Sequence, residues 1–262
     1  MNKTALITGA SSGIGLELAD LMASKGINLV LAARSIDKLE NAGISLKEKY
    51  GIDVLVIQSD LSRPDSPDEV YKKIREKKIE INYLVNNAGF GSYGPFIGED
   101  ADKISMMIDL NIKSLTRFTR LFASDMAVRG EGRILNVASV AAFQPGPLMA
   151  VYYATKAFVL SFTQAVAKEL EDKGVTLTVL CPGPTATGFK NRANLSGSPL
   201  FESRKSASAR SVAVFGYNAM IRGKRIAIHG FVNKVLVLSV RFIPSGLVTD
   251  LVMKITEKRK SV

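Results

Sequence analysis

The sequence contains one cysteine, Cys181, and one histidine, His229, among its 262 residues. A lone cysteine excludes an internal disulfide and fits a reducing compartment. With one residue of each type, a Cys/His metal cluster is excluded too, and no metal site is expected. Cys181 ends an apolar strand and reads as a small core residue. Long apolar runs are also missing. The longest C-terminal stretch, 231–253, is broken by Lys234, Arg241, Pro244 and Asp250, which argues against a spanning helix. The N-terminal MNKTALITGA is too short for a signal segment and runs directly into glycines, so a cytoplasmic location is expected. No internal repeat or low-complexity tract appears.

What is present is an ordinary globular balance, 47% hydrophobic and 23% charged. The length suits one large domain over 1–262. The net charge of +11 is dispersed, with basic pieces at 72–78, 190–225 and 254–260. Dispersion of this kind does not suggest nucleic acid as the partner. It leaves a solvated basic surface, or one that draws anionic cofactors, acyl carriers or membrane headgroups.

Short apolar strands alternate with amphipathic helices. Strands are predicted at 4–8, 28–33, 53–58, 83–86, 133–138, 176–181 and 225–228. Helices are predicted at 13–25, 36–50, 68–78, 102–128 and 151–173. Strands that are apolar throughout belong to a parallel sheet covered on both faces. Repeated βα units give an α/β, Rossmann-like, doubly wound sheet of about seven strands. Segment 188–211, rich in Ser, Asn, Arg and Gly, reads as a mobile insertion on the substrate side, and 231–260 reads as a helical extension split near Pro244.

The first strand ends in Gly9-Ala10-Ser11-Ser12-Gly13-Ile14-Gly15, where a helix begins. Glycines there let backbone N–H groups approach a pyrophosphate at a helix N-terminus. An NAD site usually carries an acidic residue at the end of the second strand. This sequence has none; Arg34 stands there instead, and a guanidinium suits a ribose 2′-phosphate, so NADP(H) is favoured over NAD(H). Asp60-Leu61 follows the third strand, where the carboxylate can reach an adenine or cap the next turn.

Further motifs come in order: Asn87-Ala88-Gly89 after the fourth strand, Asn111 inside the long helix, Ser139 after the fifth strand, and Tyr152-x-x-x-Lys156 opening the next helix. Positions i and i+4 share one helical face, so Tyr152 and Lys156 can address the same space. A free tyrosine titrates near 10. A nearby ammonium, with the charge of an oxidised nicotinamide, is expected to lower that value. Tyr152 then serves as general acid or base toward a carbonyl or alcohol, and Ser139 holds the reacting oxygen.

From Lys3 to about Thr187, this ordered set resembles the short-chain dehydrogenase/reductase family. The family spacing selects Tyr152 over its neighbour Tyr153. The resemblance implies that Lys156 also binds the nicotinamide ribose, and that Asn111 distorts its helix and anchors a proton-relay water. It further implies that the Pro182-Gly183 turn, with Thr185 and Thr187, contacts the nicotinamide. The C-terminal part is loosely similar to a DltE-like and long-chain ketoacyl reductase branch. Family members of this length suggest a homo-oligomer, dimer or tetramer.

For the substrate, Phe143, Gln144, Met149 and 188–211 are expected to border the site, which favours a carbonyl or alcohol with hydrophobic bulk. Arg192, Arg204, Lys205 and Arg210 are candidate contacts for an anionic group. Three readings stand at this point. The first is an NADP(H)-dependent carbonyl reductase. The second is a reductase of 3-ketoacyl or steroid ketones at a membrane surface, with the extension in peripheral contact. The third is a non-catalytic NADP(H)-binding sensor.

Overall fold

The computed structural model describes residues 3–189, 193 and 206–257. Of the segment expected to be mobile, 190–192 and 194–205 lie outside the described residues, and with them Arg192, Arg204 and Lys205.

The chain begins β1 (Thr4–Thr8), α1 (Gly13–Ala23), β2 (Asn28–Ala33), α2 (Ile36–Tyr50), β3 (Val54–Gln58), α3 (Ser66–Glu76) and β4 (Tyr83–Asn86). Then come α4 (Ala101–Ile108), a π-helical stretch at Asp109–Ser114, α5 (Leu115–Arg129), β5 (Gly132–Val137), α6 (Ala150–Glu169) and β6 (Val175–Cys181). A two-residue pair, β7 (Thr185–Ala186) with β8 (Ala207–Ser208), precedes α7 (Ala209–Ile221), β9 (Ile226–Ile228), α8 (Phe231–Ser239) and α9 (Ser245–Thr256). Seven strands form one parallel sheet in the order β3-β2-β1-β4-β5-β6-β9. This is the Rossmann-like sheet expected from the sequence, with the helical extension at its C-terminal end.

The all-apolar strands are explained by helices on both faces. Leu18, Met22, Leu39 and Leu46 of α1 and α2 pack with α7 against one face. Val70, Ile74, Phe118, Phe122 and Ala167 of α3, α5 and α6 cover the other. The strand order reverses between β1 and β4, which opens a crevice at their C-terminal ends.

Two expectations need correction. The stretch 102–128 is not one helix: it widens into π-helical turns around Asn111, the distortion that the family resemblance implied. The end of 188–211 is not loop, because Ala207–Ser208 pairs in β8 and Ala209 begins α7. Helix α7 was not predicted at all. Its Val212, Ala213, Gly216 and Met220 are buried on a helical stripe, but small residues weaken the apolar signal.

Candidate active site

The turn after β1 is held open by chemistry that only glycine permits. Gly9 has φ +67°, and a Cβ on Gly15 would lie 2.4 Å from the Gly9 carbonyl oxygen. Neighbouring side chains lock this loop to the end of β4. The Thr8 hydroxyl accepts from the backbone N–H of Asn87 and Ala88 at 3.0 and 3.1 Å. The Asn87 amide donates back to the Thr8 carbonyl at 3.0 Å.

These glycines border a cleft of about 430 Å³ that runs over the C-terminal ends of the strands. With the exception of Gly15 and Asn111, every catalytic and cofactor-binding residue named from the sequence lines it: Gly9, Ser11, Ser12, Gly13 and Ile14, then Arg34, Asp60 and Leu61, then Asn87, Ala88 and Gly89, then Ser139, Tyr152 and Lys156, then Pro182, Gly183, Thr185 and Thr187. Gly15 instead packs behind the loop. A tight glycine turn, the positive end of α1 and an exposed Arg34 at the tip of β2 are the features that an anionic dinucleotide fits. Asp60 does cap the following turn, since its Oδ1 accepts from the Ser62 N–H and hydroxyl at 3.1 and 2.7 Å. Against the effect of burial, these two bonds from Ser62, and after them the charges of Arg34 and Arg63, hold the carboxyl below its ordinary pKa.

Tyr152 and Lys156 leave α6 on the side facing the cleft. The Lys156 ammonium is buried, donates to the Val137 carbonyl at 2.9 Å and lies 5.7 Å from the centre of the Tyr152 ring. Burial pushes its pKa down to about 8. Loss of water around the Tyr152 phenol pushes its pKa above the ordinary tyrosine value, against the pull of a hydrogen bond with Ser139. The sequence predicted the opposite direction for Tyr152. In the protein alone desolvation outweighs the hydrogen bond from Ser139, and one proton of the Lys156 ammonium is directed at the Val137 carbonyl. The cofactor charge included in that expectation is not part of the protein.

Ser139 also accepts from the Ala141 N–H at 3.1 Å, which starts a short 3₁₀ turn. Asn111 bonds Phe90 in both directions: its amide donates to the Phe90 carbonyl at 2.9 Å and its oxygen accepts from the Phe90 N–H at 3.2 Å. A second amide hydrogen bond reaches the Thr155 hydroxyl at 3.1 Å. Asn111 thus ties the strand-four loop to the helix that carries Tyr152.

Gln144 and Met149 line the cleft as expected. Phe143 does not; it packs with Leu115, Val159 and Leu160 behind the site. Arg210 is committed elsewhere, to Asp20 at 2.7 Å and Glu17 at 3.5 Å on α1. Tyr153 packs beneath Tyr152, ring centres 6.1 Å apart, and is buried beside Gly146. Phe189, at the start of the segment 188–211 expected to border the site, does so: its ring lies 5.3 Å from that of Tyr152. The extension, for which the sequence left open covering the site, an oligomer contact or a membrane surface, supplies part of the wall: Asn233, Leu236, Ile243, Leu247 and Leu251 all line the cleft. An apolar periodicity was visible there, but it cannot say which neighbour the face meets.

Residues 3–196 match the model of the short chain dehydrogenase family, about three quarters of the chain. The chain belongs to that family. Among curated proteins, it is 36% identical to the very-long-chain 3-oxoacyl-CoA reductase of Rattus norvegicus over 71% of this chain and 61% of that one. It is 35% identical to the 17-beta-hydroxysteroid dehydrogenase type 3 of Homo sapiens over 74% and 63% respectively. The matches therefore span about three fifths of the length of these curated relatives. A solved short-chain dehydrogenase from Sphingobium yanoikuyae in complex with NADPH superimposes with a TM-score of 0.82 at 32% identity, covering 94% of this chain and 95% of that one. No helix among the described residues is long and apolar enough to cross a membrane.

Proposed function

We propose that this protein is an NADP(H)-dependent oxidoreductase acting on a carbonyl or alcohol, with Tyr152 as its general acid or base. The observation that carries this reading is one continuous cleft with the glycine turn and Arg34 at one end and Ser139, Tyr152 and Lys156 at the other. The Sphingobium relative holds NADPH, and Arg34 offers a guanidinium where an NAD site would carry a carboxylate.

NADPH bound in this cleft would supply hydride to the carbonyl carbon. Tyr152, kept protonated by its dry surroundings, donates its proton to the carbonyl oxygen as negative charge develops there. Ser139 donates a hydrogen bond to the same oxygen. Lys156 lies close enough to both the Tyr152 ring and the cleft to hold ribose hydroxyls with the protons not given to Val137. Asn111 keeps α6 and the Gly89-Phe90 turn in register and supports the relay that returns a proton to Tyr152.

The substrate in this reading is a ketone or secondary alcohol with apolar bulk. Aliphatic side chains of the extension line the cleft, and the two curated relatives are named for oxoacyl and steroid carbonyls. The finer placement in a DltE-like or ketoacyl reductase branch, a single domain over 1–262, a cytoplasmic location and a homo-oligomeric state belong to the same proposal. The test is loss of NADPH absorbance with a panel of ketones, wild type against Tyr152→Phe. Turnover that depends on Tyr152 supports the reading. NADPH binding without reduction of any ketone would point to the sensor.

A further inference from the structure

Helices α8 and α9 and the segment between them, which includes a 3₁₀ turn at Val240–Phe242, carry ten of the seventeen large apolar side chains that the described residues expose. Phe231, Val235, Leu238 and Phe242 recur at i, i+4, i+7 and i+11, which is one helical face. All four are exposed, Phe231 by 79% and Phe242 by 81%. In α8 only Val237 is buried. In α9 the buried stripe is Val248, Val252 and Thr256, while Leu247, Leu251 and Ile255 on the flank are open and line the cleft. An apolar surface of this extent marks an interaction site.

The charge on this surface says what covers it. Lys234, Arg241 and Lys254 stand among these residues, against Asp250 and Glu257, in a chain of net charge +11. Three cations against two carboxylates leave a local excess of one positive charge, to which an anionic lipid surface is complementary and a second copy is not. Apolar residues interleaved with basic ones on short helices that do not span are the pattern of an element lying in a membrane interface. We propose that α8, the following 3₁₀ turn and α9 seat the protein on an anionic lipid surface, with Phe231 and Phe242 inserted among the acyl chains. A corollary rests on the function proposed above. Because the flank of the same helices lines the cleft, an apolar ketone dissolved in lipid would reach Tyr152 along Leu247 and Leu251 without passing through water.

The test is vesicle flotation of the full chain with phosphatidylcholine alone and with phosphatidylcholine containing phosphatidylglycerol. The expected result is capture by the anionic vesicles at least about tenfold above the neutral ones. Phe231→Ser with Phe242→Ser should abolish capture, and Arg241→Glu with Lys254→Glu should abolish the preference for phosphatidylglycerol. Neither pair lines the cleft or takes part in the chemistry, so NADPH binding and turnover of a water-soluble ketone should persist in both variants. Those two readouts confirm that the variants fold, and they separate failure of this proposal from failure of the oxidoreductase reading. Absence of capture by anionic vesicles would overturn the proposal, as would unchanged capture of the double phenylalanine variant. A dimer in sedimentation that this variant dissociates would overturn it in favour of a second copy.

Discussion

The two ends of the cleft are built differently. At the sheet end, the side chains that shape the site have specified partners: Thr8 with Asn87, Asn111 with Phe90 and Thr155, Lys156 with Val137. At the extension end the wall is aliphatic and half open, held to the rest by a few buried valines and by Asn233, which donates to the His229 carbonyl at 2.7 Å. Directional bonds fix atoms to tenths of an ångström, as proton transfer requires. Apolar contact fixes only approximate shape, and it suits a substrate recognised by its bulk. The sheet end therefore governs chemistry and cofactor, and the extension end governs which molecule is presented.

That contrast can be broken by variants at either end. The largest effect is expected from Lys156→Met, which removes the cation over Tyr152: kcat/KM should fall on the order of 10²- to 10⁴-fold, measured with any ketone that the wild type reduces. Next is Arg34→Ala, which should weaken NADPH about ten- to a hundredfold and NADH little, read by titrating each cofactor. Equal losses would refute the 2′-phosphate assignment. At the other end, Leu251→Ala should raise KM for an apolar ketone several-fold, on the order of one buried methylene or two, while NADPH affinity stays put. A change in NADPH affinity there would collapse the division of labour.

A smaller effect concerns pH. Burial lowers Lys156 to about 8, so its ammonium is present below that pH and is lost above it. The kcat/KM for ketone reduction should therefore fall as pH rises through about 8, and Lys156→Arg should remove that limb. Tyr152 is raised rather than lowered, so it should add no second limb in this range. A limb that survives in Lys156→Arg would assign it to another group.

The same contrast explains what was legible in the sequence. The sheet end is encoded locally: Gly9 to Gly15 sits between a strand and a helix, and Tyr152 and Lys156 are one turn apart, so spacing alone places them. Asn111 was legible through the resemblance, and the helix opens into π turns around it. The direction of the Tyr152 pKa was not legible, because desolvation depends on Phe189 and Tyr153 closing around the ring, which no spacing reports. Arg210 looked like a candidate substrate contact from its position, but α7 packs along α1 and gives it Asp20 as a partner. The extension read as two helices split near Pro244, which is how it folds, yet its turn toward the cleft is a tertiary fact.

The central claim is that Tyr152 supplies the proton in a site whose cofactor grip is built elsewhere. The most direct measurement is a single-turnover reduction by Tyr152→Phe, with the NADPH dissociation constant determined on the same sample. The account predicts an NADPH affinity close to that of the wild type and a reduction rate lower on the order of 10²- to 10⁴-fold. A variant that reduces ketone at the wild-type rate, or that loses rate only in proportion to lost NADPH binding, would contradict it.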